Sequence, residues 1–426
     1  MKDDASPARF LWLPPGLRPP EAMQWRQERI LLLVGAAAFF AGYDQNVFGF
    51  AIPQIQASLH IPENQVGLTV SYFRIAAIFA LAIAASADLV GRRRLLLVTL
   101  FGQGFFTLLT AFAPDYTSFV WAQFLTRVFG YAEEMLCYVV IAEEMAAGAR
   151  GWANGTIASL FYVGAGIASL LFAAVTILPY GWRSLYAIGA TAIFLVAWLR
   201  RRLPETQRFA AQERSQRTMS RTAETLSLLR DLVREYPWRI LTVLVAAGSF
   251  GFAIAAATVL QSKYLQSFYG YAPWQATAVT IPGGLIGLAL AITAGRLSDR
   301  WGRKPMALGI ISLAAVCFFL FYGGAPGWAV PLLWILAFFG FFSGDALIAG
   351  FALEIVPTHY RSTVSGLRYV TEIGMGAGAL AMEGVLFDRF GAHGPAIQLL
   401  LAPVVVTLIA ILFLPEPAGK TLEEMA

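Results

Sequence analysis

The chain has 426 residues, 58% of them hydrophobic and 13% charged, with a formal net charge of +5. A soluble domain carries about 25% charged and about 45–50% apolar residues, so this composition excludes a water-soluble core. Uncharged apolar runs at 95–113 and 396–414 have the length of helices that cross a bilayer. The ten-residue alternation of an outer-membrane barrel is absent, so helices are expected to satisfy the backbone in lipid.

In chain order, the first 29 residues are polar and Pro-rich, with no short apolar core ahead of a cleavage site. A cleaved signal peptide is not expected. Apolar segments then begin near residues 30, 65, 95, 116, 152 and 183, and again near 238, 273, 305, 328, 362 and 394. The pattern predicts an all-α membrane protein with twelve transmembrane helices in two pseudo-symmetric six-helix halves. The expected organisation is an N-terminal segment (1–29), a six-helix bundle (30–203), an arginine-rich linker (204–236), a second bundle (237–414) and a tail (415–426). Within the linker, apolar Leu226, Leu229, Leu232, Val233 and Tyr236 are spaced for an amphipathic helix lying under the membrane.

The excess positive charge is local. Residues 200–239 hold ten Arg against five acidic residues, which accounts for all of the net charge. A nucleic-acid patch is one reading of such a stretch. A cytoplasmic loop obeying the positive-inside bias is the simpler one. Further basic clusters at 92–94 and 300–304 fall in alternate loops on the same side, while the opposite loops, 57–65 and 323–331, contain no Lys or Arg. Both termini are therefore expected in the cytoplasm of a cell whose plasma membrane, a bacterial inner membrane, holds the protein.

Cys137 and Cys317 lie inside apolar spans and form no redox or metal framework. No nucleophile–base pair, metal cluster or phosphate loop is evident. No cofactor, metal, nucleic acid, ATP drive or enzymatic activity is expected. The expected partners are the bilayer, protons and a small-molecule substrate, with the chain acting as a monomer.

An internal repeat organises the chain. Asp88-x-x-Gly91-Arg92-Arg93 recurs as Asp299-x-x-Gly302-Arg303-Lys304. Glu143 and Arg150 recur as Glu354 and Arg361, Gly155 as Gly366, and Pro204-Glu205 as Pro415-Glu416. All pairs share one offset of 211 residues.

These motifs, in order and register along the whole chain, resemble the major facilitator superfamily, a class of repeat-built transporters. Within it, GlyTyrAspGlnAsnValPheGly (42–49), ProGluThr (204–206) and ProGluProAlaGlyLysThrLeuGluGlu (415–424) resemble the sugar porter and organic (aromatic) acid:proton symporter branches. Symmetry assigns Asp88, Gly91, Arg92, Glu143, Arg150, Asp299, Gly302, Arg303, Glu354 and Arg361 to a cytoplasmic gate. The glycines serve the turns and the charges pair at helix ends. The plainer reading is charge that serves topology and folding.

Charges inside the membrane are expensive, about 2.5–3.5 kcal/mol at a helix centre on insertion scales, and mark functional candidates. Several lack a charged repeat mate. Asp44 maps onto Ala255, Arg74 onto Leu285, Arg127 onto Phe338, Arg368 onto Ile157 and Glu372 onto Phe161. The resemblance implies that Asp44 of helix one couples to protons and pairs with an Arg of helix four, for which Arg127 is available. Glu133 and Glu134 follow Arg127, and Asp345 is the repeat mate of Glu134. These carboxylates take protons, bind a cationic group, or cancel the charge of Arg127, Arg74 or Arg368. Arg368 and Glu372 are spaced to pair locally. A contact from Arg74 to Glu372 would make a gate, and either arginine suits a substrate carboxylate. Tyr43, Tyr72, Tyr162, Tyr369 and Gln261 are further candidates to line the substrate site.

The combined expectation is a secondary active transporter, proton-coupled and importing a small organic metabolite, with organic or aromatic acids favoured. Proton-driven efflux, sugar:proton symport and a non-transporting sensor are the alternatives. Reporter fusions are expected to place both termini and the 204–236 loop in the cytoplasm; an external 204–236 loop would overturn the twelve-span topology.

Overall fold

The computed structural model describes residues 10, 18–19, 21–145, 149–201, 230–357 and 360–416. The side chains of Asp88 and Asp299, most of the 204–236 linker and the tail beyond 416 lie outside the described residues. Twelve long helices follow one another: α1 (Trp25–Leu59), α2 (Gln65–Ala85), α3 (Arg92–Ala111), α4 (Tyr116–Glu144), α5 (Arg150–Ala173) and α6 (Trp182–Arg200), then α7 (Pro237–Ser267), α8 (Pro273–Trp301), α9 (Arg303–Tyr322), α10 (Val330–Glu354), α11 (Arg361–Phe390) and α12 (His393–Phe413). Among the described residues eleven of these are long and apolar enough to cross a membrane, and α4 is the one that is not apolar enough. It reaches 29 residues, but Arg127, Glu133 and Glu134 lower its hydropathy.

Local sequence explains the breaks. Pro53 inside α1 has no N–H to give the carbonyl one turn before it, and the helix departs from helical angles at Ala51. Asp115 starts α4 by accepting the Ser118 amide at 2.9 Å, a side-chain cap for an otherwise orphaned donor. α7 is interrupted at Leu260 and α12 at 401–403. Gly91 and Gly302 take φ of 98° and 97° ahead of α3 and α9, where a side chain would be strained.

Two compact units emerge: Met1–His60 with Ile75–Thr218, and Ile61–Arg74 with Met219–Ala426. The first fourteen residues after His60, up to Arg74, therefore group with the second unit. In the first unit α1 packs on α5 and α6, and α3 packs on α4 and α6. Two glycines bring α1 and α5 together: a Cβ at Gly42 would meet the Phe161 carbonyl, and one at Gly164 would meet the Phe39 carbonyl. In the second unit the repeat-related pairs recur, with α7 on α11 and α9 on α10. Gly251 provides the close approach there, where a Cβ would meet the carbonyl and side chain of Glu372.

Of the described part of the linker, 230–236, residues 230–235 are helical. Its Leu232 is buried in the core of the second unit with Ile240, Val356 and Tyr360, while Val233 is exposed. Glu416 accepts the main-chain amides of Arg303 at 2.8 Å and Lys304 at 2.9 Å. A carboxylate from the end of the second unit thus caps the first turn of α9, where the helix dipole favours negative charge.

Gly164→Val should destabilise the first unit by about 1–3 kcal/mol through overpacking. Gly155→Ala is the control, because nothing lies within 4 Å of its added Cβ. Thermal unfolding in detergent compares the two; equal midpoints would contradict the close α1–α5 approach.

Candidate functional site

The first unit holds Asp44 in a buried polar nest. Its Oδ1 accepts the Thr107 hydroxyl at 3.0 Å, its Oδ2 has no hydrogen-bond partner, and the residue is 1% exposed. Buried polar atoms without a hydrogen bond also occur at Gln103, Gln123 and Tyr186, and Gln123 itself donates to Thr110 at 3.1 Å. Arg127 Nη2 donates to the main-chain carbonyl of Gln45 at 2.9 Å and to that of Asp44 at 3.5 Å. The guanidinium thus grips the backbone of α1 beside the carboxylate.

Glu133 and Glu134 are neighbours in sequence with different surroundings. Glu133 pairs with Arg200, accepts the Thr99 hydroxyl at 2.5 Å, and is fully buried. Arg200 also donates to the Leu33 carbonyl at 3.0 Å and approaches Cys137. Glu134 is half-buried, with the Gln45 side chain beside it.

The second unit gathers Asp345, Arg368 and Glu372. Arg368 Nη1 reaches Asp345 at 2.6 Å and Glu372 at 2.7 Å, so one guanidinium nitrogen serves two carboxylates. Asp345 is the more open of the two acids, its side chain 39% exposed against 16% for Glu372. Arg74 Nη1 lies against Gly376, one turn beyond Glu372 on α11. The four residues form one charged cluster within the unit.

The aromatic candidates divide. Tyr43 is buried, and its hydroxyl is committed to the Leu185 carbonyl at 2.8 Å. Tyr72, Tyr162 and Tyr369 are exposed to similar degrees. Gln261 is buried, its Oε1 without a hydrogen bond.

At the loop ends the two units repeat one ion pair. Arg92 meets Glu143 at 3.0 Å, and Arg303 meets Glu354 at 2.6 Å. Arg92 also donates to the Ala87 carbonyl at 3.2 Å. Arg150 donates to the Met145 carbonyl at 3.1 Å, whereas Arg361 has Nε and Nη2 buried without a hydrogen bond. No group of three or more His, Cys, Asp or Glu suited to a metal occurs among the described residues.

A sequence profile of the Major Facilitator Superfamily matches residues 34–379. The chain belongs to that family. It is therefore a multi-pass membrane transporter and not an enzyme. Among curated relatives, a probable 4-methylmuconolactone transporter of Cupriavidus pinatubonensis is 25% identical over 412 residues, covering 90% of this chain and 89% of that protein. A citrate-proton symporter of Salmonella typhi is 26% identical over 370 residues, covering 80% and 82%. A solved D-xylose-proton symporter superposes with a TM-score of 0.74 at 18% identity, over 92% of this chain and 99% of that one. That likeness is one of fold.

Sequence reasoning left several charged residues of this superfamily member out of the site. Arg200 was grouped with the loop arginines, although it is the buried partner of Glu133. Glu63, Lys263, Glu383 and His393 were not singled out, yet they meet in the second unit. The offset of 211 residues maps them onto Trp274, Ile52, Phe172 and Trp182. The absence of a charged repeat mate, the criterion that marked Asp44, would have found all four.

Breaking a buried ion pair by removing one partner costs about 3–5 kcal/mol, and replacing both partners by apolar residues is often neutral. Glu133→Ala should therefore lower thermal stability sharply, and combining it with Arg200→Leu should recover most of the loss. Wild-type transport per folded molecule in the double variant would assign Glu133 a structural role; lost coupling with full stability would assign it to the proton path.

Proposed function

We propose that this transporter carries a small organic acid into the cell together with protons, by alternating access, with both termini in the cytoplasm. The observation that carries this reading is Asp44: a buried carboxyl with a single hydroxyl donor, one oxygen without a hydrogen bond, and a guanidinium held beside it on the main chain. Burying an ionised carboxylate without a full set of partners is costly, and a nearby cation offsets that cost. A carboxyl in this position suits reversible proton loading. Arg127 can exchange its grip on the Gln45 carbonyl for the Asp44 carboxylate when the proton leaves. That exchange would reach the backbone of α1 just ahead of the break at Ala51, so protonation and helix geometry would be linked.

Organic acids are favoured on two grounds. One of the relatives described above is named for proton-coupled transport of citrate, an organic acid. In the second unit, Arg368 is held by Asp345 and Glu372, and a planar guanidinium is suited to exchange one carboxylate for another. In this scheme a substrate carboxylate competes with Asp345, the more exposed of the two acids.

Asp44→Asn should abolish accumulation driven by a pH gradient in proteoliposomes, because an amide does not release and rebind a proton at these pH values. Substrate exchange at equal pH on both sides should persist, since Asn resembles the protonated acid. Concentrative uptake by Asp44→Asn at the wild-type level would place the coupling proton elsewhere, with Glu134 and Asp345 next to be tested. Citrate and aromatic carboxylates are the first substrates to screen.

A further inference from the structure

Four titratable residues of the second unit stand apart from the Arg368 cluster and take no part in the cycle proposed above. Glu63 precedes α2, Lys263 lies late in α7, Glu383 late in α11, and His393 opens α12. His393 Nδ1 is 2.5 Å from Glu383 Oε1, and Nε2 is 2.9 Å from Glu63 Oε2. Lys263 Nζ bonds the same Glu63 oxygen. Glu383 is 0% and Lys263 2% exposed, and the second Glu383 oxygen has no hydrogen bond.

The Phe387 ring lies 4.5 Å from the imidazole. Tyr264, beside Gly394, donates its hydroxyl to the Tyr322 carbonyl at 2.8 Å. Tyr322 donates its own to the Ala257 carbonyl at 2.6 Å. Both phenols are committed to the main chain.

Proton counting then decides the state of the cluster. Ionised carboxylates only accept hydrogen bonds, and a neutral imidazole has one N–H and one lone pair. A neutral ring between two carboxylates would turn its lone pair onto one of them. The two contacts therefore require one proton more than a neutral ring and two ionised acids provide. With that proton, Lys263 and His393 balance Glu63 and Glu383; without it, the cluster is left one negative charge in excess, with Glu383 fully buried. Glu63, which lies outside the spans, has its carboxyl held down to about 2, first by the His393 hydrogen bond and further by Lys263, against the opposing effect of burial. It stays ionised, so the exchangeable proton belongs to His393 and Glu383. Imidazole is the stronger base of the two by roughly 2 pK units, which puts the proton on the ring.

We propose that the His393–Glu383 pair is a second proton-binding site, distinct from Asp44, whose bound proton ties the ends of α7 and α11 and the start of α12 to the turn before α2. On the topology proposed above, this site lies at the outer face. The proton count itself does not depend on the substrate or on the direction of transport.

The chain has three histidines, and His60→Gln with His359→Gln leaves His393 as the only one. Nitrogen-15 NMR of the labelled ring then reads both nitrogens directly in the folded, lipid-embedded protein. At pH about 8, above the ordinary imidazole range near 6.5, both nitrogens are expected to carry hydrogen. Adding Glu383→Gln should remove one N–H at that pH, while Asp44→Asn should leave both in place. A single neutral tautomer at His393 with Glu383 intact would overturn the proposal, without any variant of the cluster being needed. So would an unchanged imidazolium after Glu383→Gln. Because the readout is the proton rather than transport, failure here is distinguishable from failure of the proposed symport.

Discussion

An ionised side chain in hydrocarbon has no water to solvate it, so each charge buried in the spans must find its counter-charge inside the protein. Much of this structure follows from that requirement. Arg200 and Glu133 close on each other within the first unit. Arg368 holds Asp345 and Glu372 within the second. Pairs of this kind are poor sources of net stability, but they dictate which helix faces can meet. Asp44 departs from the pattern, since the guanidinium beside it holds main-chain carbonyls. That light engagement of the carboxyl is the basis of the proton-coupling role proposed for Asp44.

The two units are variations on one plan. Glycines let α1 meet α5 in the first, and Gly251 lets α7 meet α11 in the second. Each unit closes a short turn with a glycine at positive φ and follows it with an arginine paired to a glutamate: Arg92 with Glu143, Arg303 with Glu354. Those features are shared by both copies, as a gate or a folding device common to the two would be. Other charges are found in only one copy, among them Asp44, Arg127, Glu133 and Arg200 in the first unit and Lys263, Arg368, Glu372, Glu383 and His393 in the second. On the reading proposed above, duplication supplies the frame and divergence between the copies supplies the chemistry.

The helices were legible in the sequence because lipid imposes a long uninterrupted apolar run on each span, and the run is visible without knowing the neighbours. α4 was legible through length and position even though its charges dilute the signal. The turns at Gly91 and Gly302 were legible through the repeat. Partners were harder to see. Arg200 ends α6 and adjoins a run of loop arginines, so nothing local distinguishes it from charge that faces water. The main-chain acceptors of Arg127 carry no sequence signal at all, since every residue offers a carbonyl. The Glu63–His393 contact joins positions 330 apart, a pairing that depends on packing between helices. The asymmetry between repeats is visible in the sequence at each of these charged positions.

The cap on α9 carries a consequence for how the protein is made. Glu416 lies 113 residues after Arg303, so α9 leaves the ribosome and enters the membrane before its capping carboxylate has been synthesised. Its first turn, next to the Arg303–Glu354 pair, must wait with its amides open until α12 has been threaded and the chain beyond it folds back. Assembly of the second unit is thereby completed in reverse order of synthesis at this corner, with a residue made later securing a helix laid down much earlier.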